Sequence, residues 1–403
     1  MSNDIKDRTF WISKEEEIKQ GKTTDVYFVY TRDILRHVNK NPRVTIEVFA
    51  RSLEGNWGVV TGIYEVAKLL EGMNVNVKAM EEGEIFQSST DSPIYEPVMQ
   101  IEANYADIAI YENPVLGFLC FSSGVSSKAA KIRLAAGDKI VFSFGTRRAH
   151  PAMAPTIERA AYIGGFDSAS NLLGAELMGI KPVGTMPHAL ILCFNDQAKA
   201  WKAFDDFVSK DVPRIALVDT LSDEKTESIM ALDLLKDKLD GVRLDTPSSR
   251  RGNRRKIVEE VRWELNARDG KHVKIYVSGG LDEEEIKHLG GIVDGFGVGT
   301  SVSSARSIDF SFKIIEVIED GRRIYRAKRG DIAGSKQVYR DQGFHDIVTL
   351  VDKKAPDEYK PLLTNLIVNG KIVREFKNVK EIRERTLENL RKFANVQPTL
   401  KWI

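Results

Sequence analysis

Cysteine is almost absent from this chain of 403 residues, which contains only Cys120 and Cys193. The two lie far apart in the apolar runs GFLC and ILCF, a setting that favours buried thiols over a disulfide or a metal-binding pair. Two cysteines also exclude a zinc knuckle built from four cysteine ligands. The chain therefore shows no sign of a disulfide framework.

A surplus of charge of one sign is lacking as well. Lys and Arg total 59 and Asp and Glu total 58, which leaves a formal net charge of +1. No global field steers such a chain toward nucleic acid or an anionic membrane, so any polyanion must be held by a local site. There is also no apolar run of about 18 residues and no apolar signal core near the first residues. We expect a cytoplasmic protein that binds neither nucleic acid nor membranes.

Several familiar enzyme motifs are missing. The sequence has no glycine-rich P-loop, no HExxH and no GxSxG motif, which argues against P-loop NTPases, zincins and α/β-hydrolases. What is present is an ordinary globular composition, with 42% hydrophobic and 29% charged residues, so disordered and collagen-like chains are excluded. At about 150 residues per domain, the length predicts two or three domains.

Residues 1–115 predict an α+β domain. The strand pattern appears in three short segments, namely 44–49, 75–78 and part of 100–112. Apolar residues at helical spacing occupy 61–72, where Gly72 suits the C-terminal cap. A longer helix is predicted over 114–136.

Residues 116–305 predict a (β/α) barrel. Seven short runs, most of them apolar, alternate with helical segments, and most of the runs end in polar or glycine-rich residues. This alternation indicates parallel strands joined by crossover helices. Seven units predict an incomplete barrel, and a doubly wound sheet is the alternative.

Residues 306–403 break this rhythm. They predict two hairpins, with turns at Asp320-Gly321 and Asn369-Gly370, followed by a helix. We expect this segment to pack back onto the first domain. The predicted fold class is therefore α/β, with an incomplete (β/α) barrel plus an α+β sandwich domain formed by the N-terminal segment and part of the C-terminal segment.

Functional groups of a parallel barrel collect where the strands end. Any loop there must be polar, but a charged or hydroxyl group in nearly every loop favours a site. The residues concerned are Arg147, Arg148, Asp167, Ser168, His188, Asp219, Thr220, Arg243, Asp245 and Ser278.

Two glycine-containing turns follow the last two predicted strands. They are VSGG at 277–280 and GFGVGTS at 295–301, where backbone N–H groups are able to approach an anion closely. Phosphate sites often occur at these places of a barrel, and plain tight turns are the alternative.

Three further features have two interpretations each. His188 follows a predicted strand in GTMPH and is either catalytic or structural. Arg243 and Asp245 lie one pleat apart and either bind a sugar phosphate or pair with each other. The basic stretch 248–256 is typical of a solvated helix start, and it has no aromatic residue for base stacking.

In this order, a set of motifs resembles the nicotinate phosphoribosyltransferases, which are type II phosphoribosyltransferases related to the quinolinate and nicotinamide enzymes. The likeness covers about residues 23–340. The motifs are KTTDVYF, FGTRR, GGFDSASN, GTMPHA, LVDT, GVRLDTP, SGGLD, GFGVGT and SKQVYR. The resemblance implies transfer of a phosphoribosyl group from PRPP to nicotinate with Mg²⁺, in a homodimer with shared active sites or a higher oligomer. It also implies ATP as co-substrate, hydrolysed through a phosphohistidine at His188.

The resemblance also implies roles for individual residues. Tyr27, expected from the partner subunit, and Phe144 sandwich the pyridine ring, while Arg147 and Arg243 face the nicotinate and ribose. Asp219 and Asp245 lie near the ribose hydroxyls or Mg²⁺. The remaining substrate-binding positions are Asp25, Asp167, Ser168 and Thr185. The phosphate-binding positions are Ser278, Gly279, Gly280, Gly297, Gly299 and Thr300, and His188, Arg243 and Asp245 are the expected catalytic residues. Arg148, Lys336 and Arg340 are further candidates for the pyrophosphate.

One position bears on substrate choice. Nicotinamide-using relatives carry an aspartate near Ser168, whereas a serine hydroxyl is able to donate to the nicotinate carboxylate. Ser168 therefore favours the acid over the amide. Ala189 stands where many relatives have a serine, so this chain lacks that hydroxyl.

Two alternatives stay open. One is a quinolinate phosphoribosyltransferase, which decarboxylates its substrate and needs no ATP, although such enzymes are typically shorter. The other is a non-catalytic protein that binds a phosphate sugar on the same barrel, which does not need His188 together with Arg243 and Asp245.

Overall fold

The computed structural model describes residues 8–89, 93–250, 252–354 and 356–403. The chain divides into two compact units. The first unit combines Met1–Ser127 with Arg306–Ile403, and the second unit is Lys128–Ala305.

The N-terminal segment forms five strands and five helices. The strands are β1 (Arg43–Ala50), β2 (Trp57–Val59), β3 (Val75–Ala79), β4 (Ile85–Gln87) and β5 (Pro97–Asn104). The helices are α1 (Glu15–Lys19), α2 (Val26–His37), α3 (Ile63–Leu70), α4 (Tyr105–Ile108) and α5 (Glu112–Ala136). The predicted strands and helices of this segment are confirmed.

The second unit alternates strands and helices. The strands are β6 (Ile140–Ser143), β7 (Ser168–Ala169), β8 (Ile215–Leu217), β9 (Gly241–Leu244), β10 (Lys274–Ser278) and β11 (Gly295–Val298). The helices are α6 (Ala154–Ile163), α7 (Leu172–Met178), α8 (His188–Phe194), α9 (Gln197–Phe207), α10 (Glu224–Leu235), α11 (Arg254–Ala267), α12 (Glu283–Leu289) and α13 (Thr300–Ser303).

The C-terminal segment forms strands and one long helix. The strands are β12 (Phe310–Glu319), β13 (Arg322–Tyr325), β14 (Lys336–Arg340), β15 (His345–Leu350), β16 (Lys360–Pro361), β17 (Thr364–Val368), β18 (Lys371–Ile372) and β19 (Thr399–Trp402). The helix is α14 (Val379–Phe393). Its N-cap, Asn378, accepts hydrogen bonds from the N–H groups of Lys380 and Glu381, which explains where the helix begins.

A seven-stranded sheet organises the first unit. Its order is β13-β12-β1-β5-β3-β17-β18, so C-terminal strands flank N-terminal ones. Both predicted hairpins are confirmed, since Glu319 pairs with Arg322 and Val368 with Lys371. The two turns have positive φ at both central residues, a conformation that Asp-Gly and Asn-Gly adopt readily. The apolar residues of β1, such as Ile46, pack in one core with α3 residues such as Leu70.

Two buried cations of the first unit are committed to ion pairs. Lys336 Nζ lies 2.7 Å from Glu47 Oε2, and Arg340 donates to both carboxylate oxygens of Asp346 at 2.6 Å. Removing either partner would leave a buried charge without compensation. Lys336 and Arg340 therefore have a structural explanation that needs no pyrophosphate.

The stretch Tyr105–Ala136 is long and apolar enough to cross a membrane by length and composition. However, 56% of its most apolar window is buried inside the protein. Its serine hydroxyls also bond to a neighbouring segment, since Val59 N–H donates to Ser127 Oγ at 2.8 Å and Thr61 N–H donates to Ser123 Oγ at 3.0 Å. These contacts are typical of a core helix.

The second unit contains a six-stranded sheet in the order β7-β6-β11-β10-β9-β8. Every neighbouring pair is parallel. The parallel sheet of a mixed α/β fold is thus confirmed. The register aligns Ser143 with Val298 and Val277 with Leu244, so the strands end close to one another along a single edge.

The strand predicted before His188 is wrong. Residues 181–187 form no strand, and His188 is the first residue of α8. The segment contains Pro182 and Pro187, which have no N–H to donate to a neighbouring strand. A single backbone bond, from Val183 N–H to Ala169 O at 2.9 Å, is all that ties it to β7 among the described residues.

Candidate active site

A cavity of about 790 Å³ opens at the carboxyl edge of the parallel sheet. Loops that follow parallel strands converge at this edge, which is why one cavity collects residues distant in sequence. The predicted residues that line it are Phe144, Arg147, Arg148, Thr185, His188, Arg243, Asp245, Ser278, Gly279, Gly280, Gly297, Gly299 and Thr300.

His188 stands between a hydroxyl and two carboxylates. Its Nδ1 lies 3.0 Å from Thr220 Oγ1, while its Nε2 lies 3.5 Å from Asp245 Oδ2 and 3.8 Å from Asp219 Oδ1. The hydrogen bond with Asp245 is the main cause that raises the pKa of His188. The site therefore stabilises the imidazolium form of this side chain.

The two aspartates have different environments. The side chain of Asp219 is 3% exposed, and burial raises its pKa. Its Oδ2 accepts hydrogen bonds from the Asp245 N–H and from Thr246 Oγ1, whereas its Oδ1 has no hydrogen-bond partner among the described residues. Burial opposes ionisation of Asp245 too, but the bonds from His188 and Ser278 outweigh it and lower the pKa of Asp245.

These carboxylates are the groups best placed to hold a cation. No cluster of three or more His, Cys, Asp or Glu side chains that could hold a metal occurs in the described part of the chain. Mg²⁺, however, usually takes only one or two protein carboxylates and fills its remaining positions with water and phosphate oxygens. The unpartnered Oδ1 of Asp219 and the nearby carboxylate of Asp245 fit that mode of binding.

Arg243 and Phe144 form an aromatic and cationic wall of the cavity. The Arg243 guanidinium carbon lies 5.6 Å from the centre of the Phe144 ring, and its Nη2 donates to Met186 O at 3.1 Å. Phe144 is stacked on Phe142, with ring centres 5.9 Å apart and an angle of 8°. No ion pair joins Arg243 to Asp245 in the described chain, so the interpretation in which the two merely pair is wrong.

The glycines keep side chains out of the cavity floor. Gly279 and Gly280 have φ values of +85° and +62°, a conformation that favours glycine. A Cβ on Gly297 would lie 2.5 Å from the Phe144 ring. Gly297 is thus a buried residue of β11 packed against Phe144, whereas the backbone of Gly280 is exposed and that of Gly299 is half-buried.

Three predicted substrate-binding residues of the second unit do not line the cavity, namely Asp167, Ser168 and Asp219, whose side chain is buried. Asp167 precedes β7 instead of following it, and its carboxylate accepts from Val141 N–H at 2.8 Å and from Arg133 at 3.0 Å. Ser168 lies inside the two-residue strand β7, which ends at Ala169, so Ser170 is the first residue after the strand. Ser170 lines the cavity and Ser168 does not. The prediction differs because it placed the end of this strand two residues too early.

Asp25 and Tyr27 belong to the first unit. Asp25 is the N-cap residue of α2, and its Oδ2 accepts a hydrogen bond from Tyr27 Oη at 3.0 Å. The Tyr27 side chain is exposed. Its ring contacts the ring of Phe28, with centres 4.4 Å apart, and leaves its other face to solvent.

Sequence reasoning missed Ser170 and Arg254. Arg254 is in the basic stretch interpreted as a solvated helix start, yet it is 7% exposed and donates to Gly279 O at 2.6 Å. Its position as the first residue of α11, after the N-cap Asn253, was the only available signal. Such a signal does not distinguish a buried arginine from an exposed one.

Two family models match neighbouring parts of the chain. The N-terminal domain model of quinolinate phosphoribosyl transferase matches residues 25–123, and the C-terminal domain model of the same enzyme matches residues 125–313. The chain belongs to the type II phosphoribosyltransferase family.

Individual relatives agree with this assignment. The chain is 29% identical to the nicotinate phosphoribosyltransferase of Bacillus subtilis over 70% of its length, and 29% identical to one from Mycobacterium tuberculosis over 73%. It spans only 59% and 65% of the lengths of these two curated relatives.

Solved structures extend the comparison. The nicotinate-nucleotide pyrophosphorylase from Pyrococcus furiosus is 53% identical, with a TM-score of 0.92 over 96% of this chain and 99% of that chain. The human nicotinic acid phosphoribosyltransferase shares the fold, with a TM-score of 0.71 at 19% identity over 94% of this chain and 97% of that one.

The geometry around His188 predicts a specific titration. Asp245→Asn should lower the pKa of His188 toward its ordinary value of 6.5, because the bond from Asp245 is the main cause of the raised pKa. Selective labelling and NMR of the histidine ring protons measure this shift. Since the folded pKa is raised, the stability from this contact is complete below the unfolded pKa and disappears as pH rises through the folded pKa.

The carboxylate of Asp196, which caps helix α9, provides the control. Asp196→Asn removes a carboxylate charge from the N-cap of α9, where asparagine still caps the helix, and should leave the His188 titration unchanged. An unchanged His188 titration in Asp245→Asn would contradict the assigned contact.

Proposed function

We propose that the protein transfers a phosphoribosyl group from PRPP to nicotinate, forming nicotinate mononucleotide and pyrophosphate for NAD salvage. The observation that carries the proposal is the single cavity that brings together His188, Arg243 and Asp245 with two glycine turns. The names of the curated relatives support the same activity.

Each part of the substrates has a matching surface. The backbone at Gly280 and Gly299 suits the 5′-phosphate, since no side chain lies close above either glycine. The exposed Arg147 offers a cation for the pyrophosphate. The half-buried Phe144 ring provides one stacking face for the pyridine.

The chemistry requires alignment and electrostatics more than proton transfer. The pyridine nitrogen already has a lone pair, so it forms the bond to ribose C1 without a general base while the bond from C1 to the pyrophosphate oxygen breaks. Positive charge develops on the ribose, and the carboxylates of Asp219 and Asp245 favour that charge. Mg²⁺, held by these two carboxylates and the phosphates, would neutralise the leaving group when bound.

ATP coupling through His188 is part of the proposal. The contact of Nδ1 with Thr220 leaves Nε2 directed at the two aspartates. In the phosphorylation step, a carboxylate first takes the Nε2 proton of the imidazolium, and Nε2 then bonds to the γ-phosphorus of ATP while the bond from phosphorus to the ADP oxygen breaks. The phosphorylated side chain would add negative charge to the cavity and bias its affinity for substrates.

We assign recognition of the acid to a serine that lines the cavity. Ser170, not Ser168, lines the cavity, and its hydroxyl, which bonds to Glu158, would turn to donate to the carboxylate of nicotinate. An aspartate at the same place would oppose that carboxylate and accept from an amide instead. We therefore assign the preference for the acid to Ser170.

A homodimer with shared sites, or a higher oligomer, would explain two apolar surfaces. On α2 and the residue after it, Val26, Tyr30, Ile34 and Val38 are 56%, 60%, 62% and 57% exposed at a spacing of four residues. On α7 of the second unit, Leu172 and Leu177 are 75% and 69% exposed. Apolar patches of this kind mark protein contacts, and a second copy that covers α2 would receive Asp25 and Tyr27.

The parallel sheet is interpreted as an incomplete barrel. Its edge strands β7 and β8 are not paired with each other, and a closed barrel of this type needs eight strands. The division into residues 1–115, 116–305 and 306–403 belongs to the same proposal, with the middle segment as the catalytic part.

A second candidate is a quinolinate-using enzyme. The structure that is 53% identical has the name nicotinate-nucleotide pyrophosphorylase, which fits quinolinate as well as nicotinate because both reactions form the same nucleotide. The curated relatives named for nicotinate favour the main proposal.

An assay with three pyridines tests the activity. The purified chain is incubated with PRPP and Mg²⁺ and either nicotinate, quinolinate or nicotinamide, with and without ATP, and nucleotides are separated by chromatography. We expect nicotinate mononucleotide from nicotinate, at a rate that ATP increases. Product from quinolinate alone, with release of CO₂, would support the second candidate, and no product from any pyridine would leave only a binding protein.

Phosphate transfer to His188 is measurable with labelled ATP. We expect acid-labile label on the protein and no label on His188→Ala, because the acceptor nitrogen is gone. His150→Ala changes an exposed histidine of the same unit that does not line the cavity, and it should be labelled like the wild type. Labelled His188→Ala would refute the phosphohistidine.

Ser170→Asp should exchange the substrate preference. We expect kcat/KM for nicotinate to fall at least about tenfold because like charges are brought together, while nicotinamide becomes the better substrate. Ser170→Ala separates the lost hydroxyl from the added charge. Ser168→Ala should not change the ratio of the two substrates, and a ratio that responds to Ser168 instead would restore the original assignment.

A further inference from the structure

Arg254 is a buried cation that contacts a cavity-lining turn without lining the cavity itself. It is the first residue of α11 and is 7% exposed, while the side chain of the next residue, Arg255, is 36% exposed. A buried guanidinium requires partners. Arg254 donates from Nη2 to Gly279 O at 2.6 Å, and its Nη1 lies 3.1 Å from Glu285 Oε1.

The carbonyl that Arg254 holds belongs to a peptide with unusual freedom. Gly279 and Gly280 both have positive φ, and neither has a side chain to restrict rotation of the peptide plane between them. In a planar trans peptide, the N–H of Gly280 points away from the C=O of Gly279. By holding the carbonyl on one side, Arg254 directs the N–H of Gly280 to the other side.

The loop that Arg254 contacts forms part of the cavity wall. Gly279, Gly280 and Asp282 line the cavity, whereas Arg254 does not. Asp282 also accepts from the Glu285 N–H at 2.9 Å, so the same loop is fixed at its far end by the residue that pairs with Arg254. Together, the two contacts fix the orientation of the loop at both of its ends.

The geometry points to Arg254 as a positioning residue that presents the N–H of Gly280 to a phosphate. Identification of that phosphate as the 5′-phosphate of PRPP rests on the proposed function. The arrangement itself requires only an anion with phosphate oxygens in the cavity. Arg254 acts through the backbone, so it needs no contact with the ligand.

Calorimetric titration of three ligands tests this role in the full chain. Inorganic phosphate, PRPP with Mg²⁺, and nicotinate are titrated into the wild type and into Arg254→Gln. We expect Kd for phosphate and for PRPP to rise about tenfold, as for one lost hydrogen bond to a charged group, with Kd for nicotinate unchanged. In steady state, KM for PRPP should rise while kcat at saturating PRPP stays close to that of the wild type.

Two further variants keep the test decisive. Arg254→Lys retains a cation that reaches the carbonyl and should recover part of the affinity for phosphate, even where Arg254→Gln does not fold. Arg255→Gln changes the exposed neighbour, which bonds to His288 O and Glu259, and should bind every ligand like the wild type. Circular dichroism and Tm identify variants that are merely unfolded.

The outcomes separate this inference from the proposed function. The positioning role is overturned if folded Arg254→Gln binds phosphate with the Kd of the wild type. It is also overturned if its affinities for phosphate and for nicotinate fall by the same factor. A folded Arg254→Lys variant that recovers none of the affinity for phosphate overturns this role as well. A wild type that binds phosphate but makes no nucleotide refutes the proposed function and leaves the Arg254 comparison valid, whereas a wild type that binds neither phosphate nor PRPP overturns both.

Discussion

The position of the Asp245 carboxylate is the constraint on which the rest of the cavity depends. Parallel pairing of β9 and β10 brings Asp245 beside Ser278, whose hydroxyl donates to Oδ1 at 2.8 Å. The other oxygen faces His188, and the Asp245 N–H donates to Asp219. A Cβ at Gly279 would lie 2.9 Å from the same Oδ1, so this carboxylate also determines that the turn begins with glycine. One side chain thus connects the imidazole, the second carboxylate and the anion-binding turn.

The regular parts of the fold were predictable because they depend on local patterns. The strand 44–49 and the turns at Asp320-Gly321 and Asn369-Gly370 follow from β-branched residues and from dipeptides that adopt positive φ. The residues that follow β6, β9, β10 and β11 were also placed at one edge, because parallel strands end there. The errors occurred where a strand is very short or absent. β7 has only two residues, Ser168 and Ala169, so Ser168 was placed at the end of the strand where Ser170 is the first residue after it.

Tertiary contacts were beyond local patterns. The basic stretch 248–256 contains several cations of similar appearance, and only the packing against the turn at Gly279 selects Arg254 for burial. Similarly, the two prolines before His188 prevent a strand, yet the segment still delivers His188 to the cavity as the first residue of a helix. The sequence pointed to His188 because of the small, turn-forming residues around it. In the structure, His188 is positioned by a loop that makes one backbone hydrogen bond to β7.

Under the proposed function, the placement of cations, and not their number, would allow a chain with a net charge of +1 to hold a polyanion. Arg147 is exposed at the mouth of the cavity, where it is able to follow a leaving pyrophosphate into solvent. Arg243 is largely buried against Phe144, so it has little freedom to move and suits recognition of a fixed group. Arg254 never enters the cavity and acts on the backbone. Because each of these arginines has a different degree of burial, one residue type serves release, recognition and positioning in a single site.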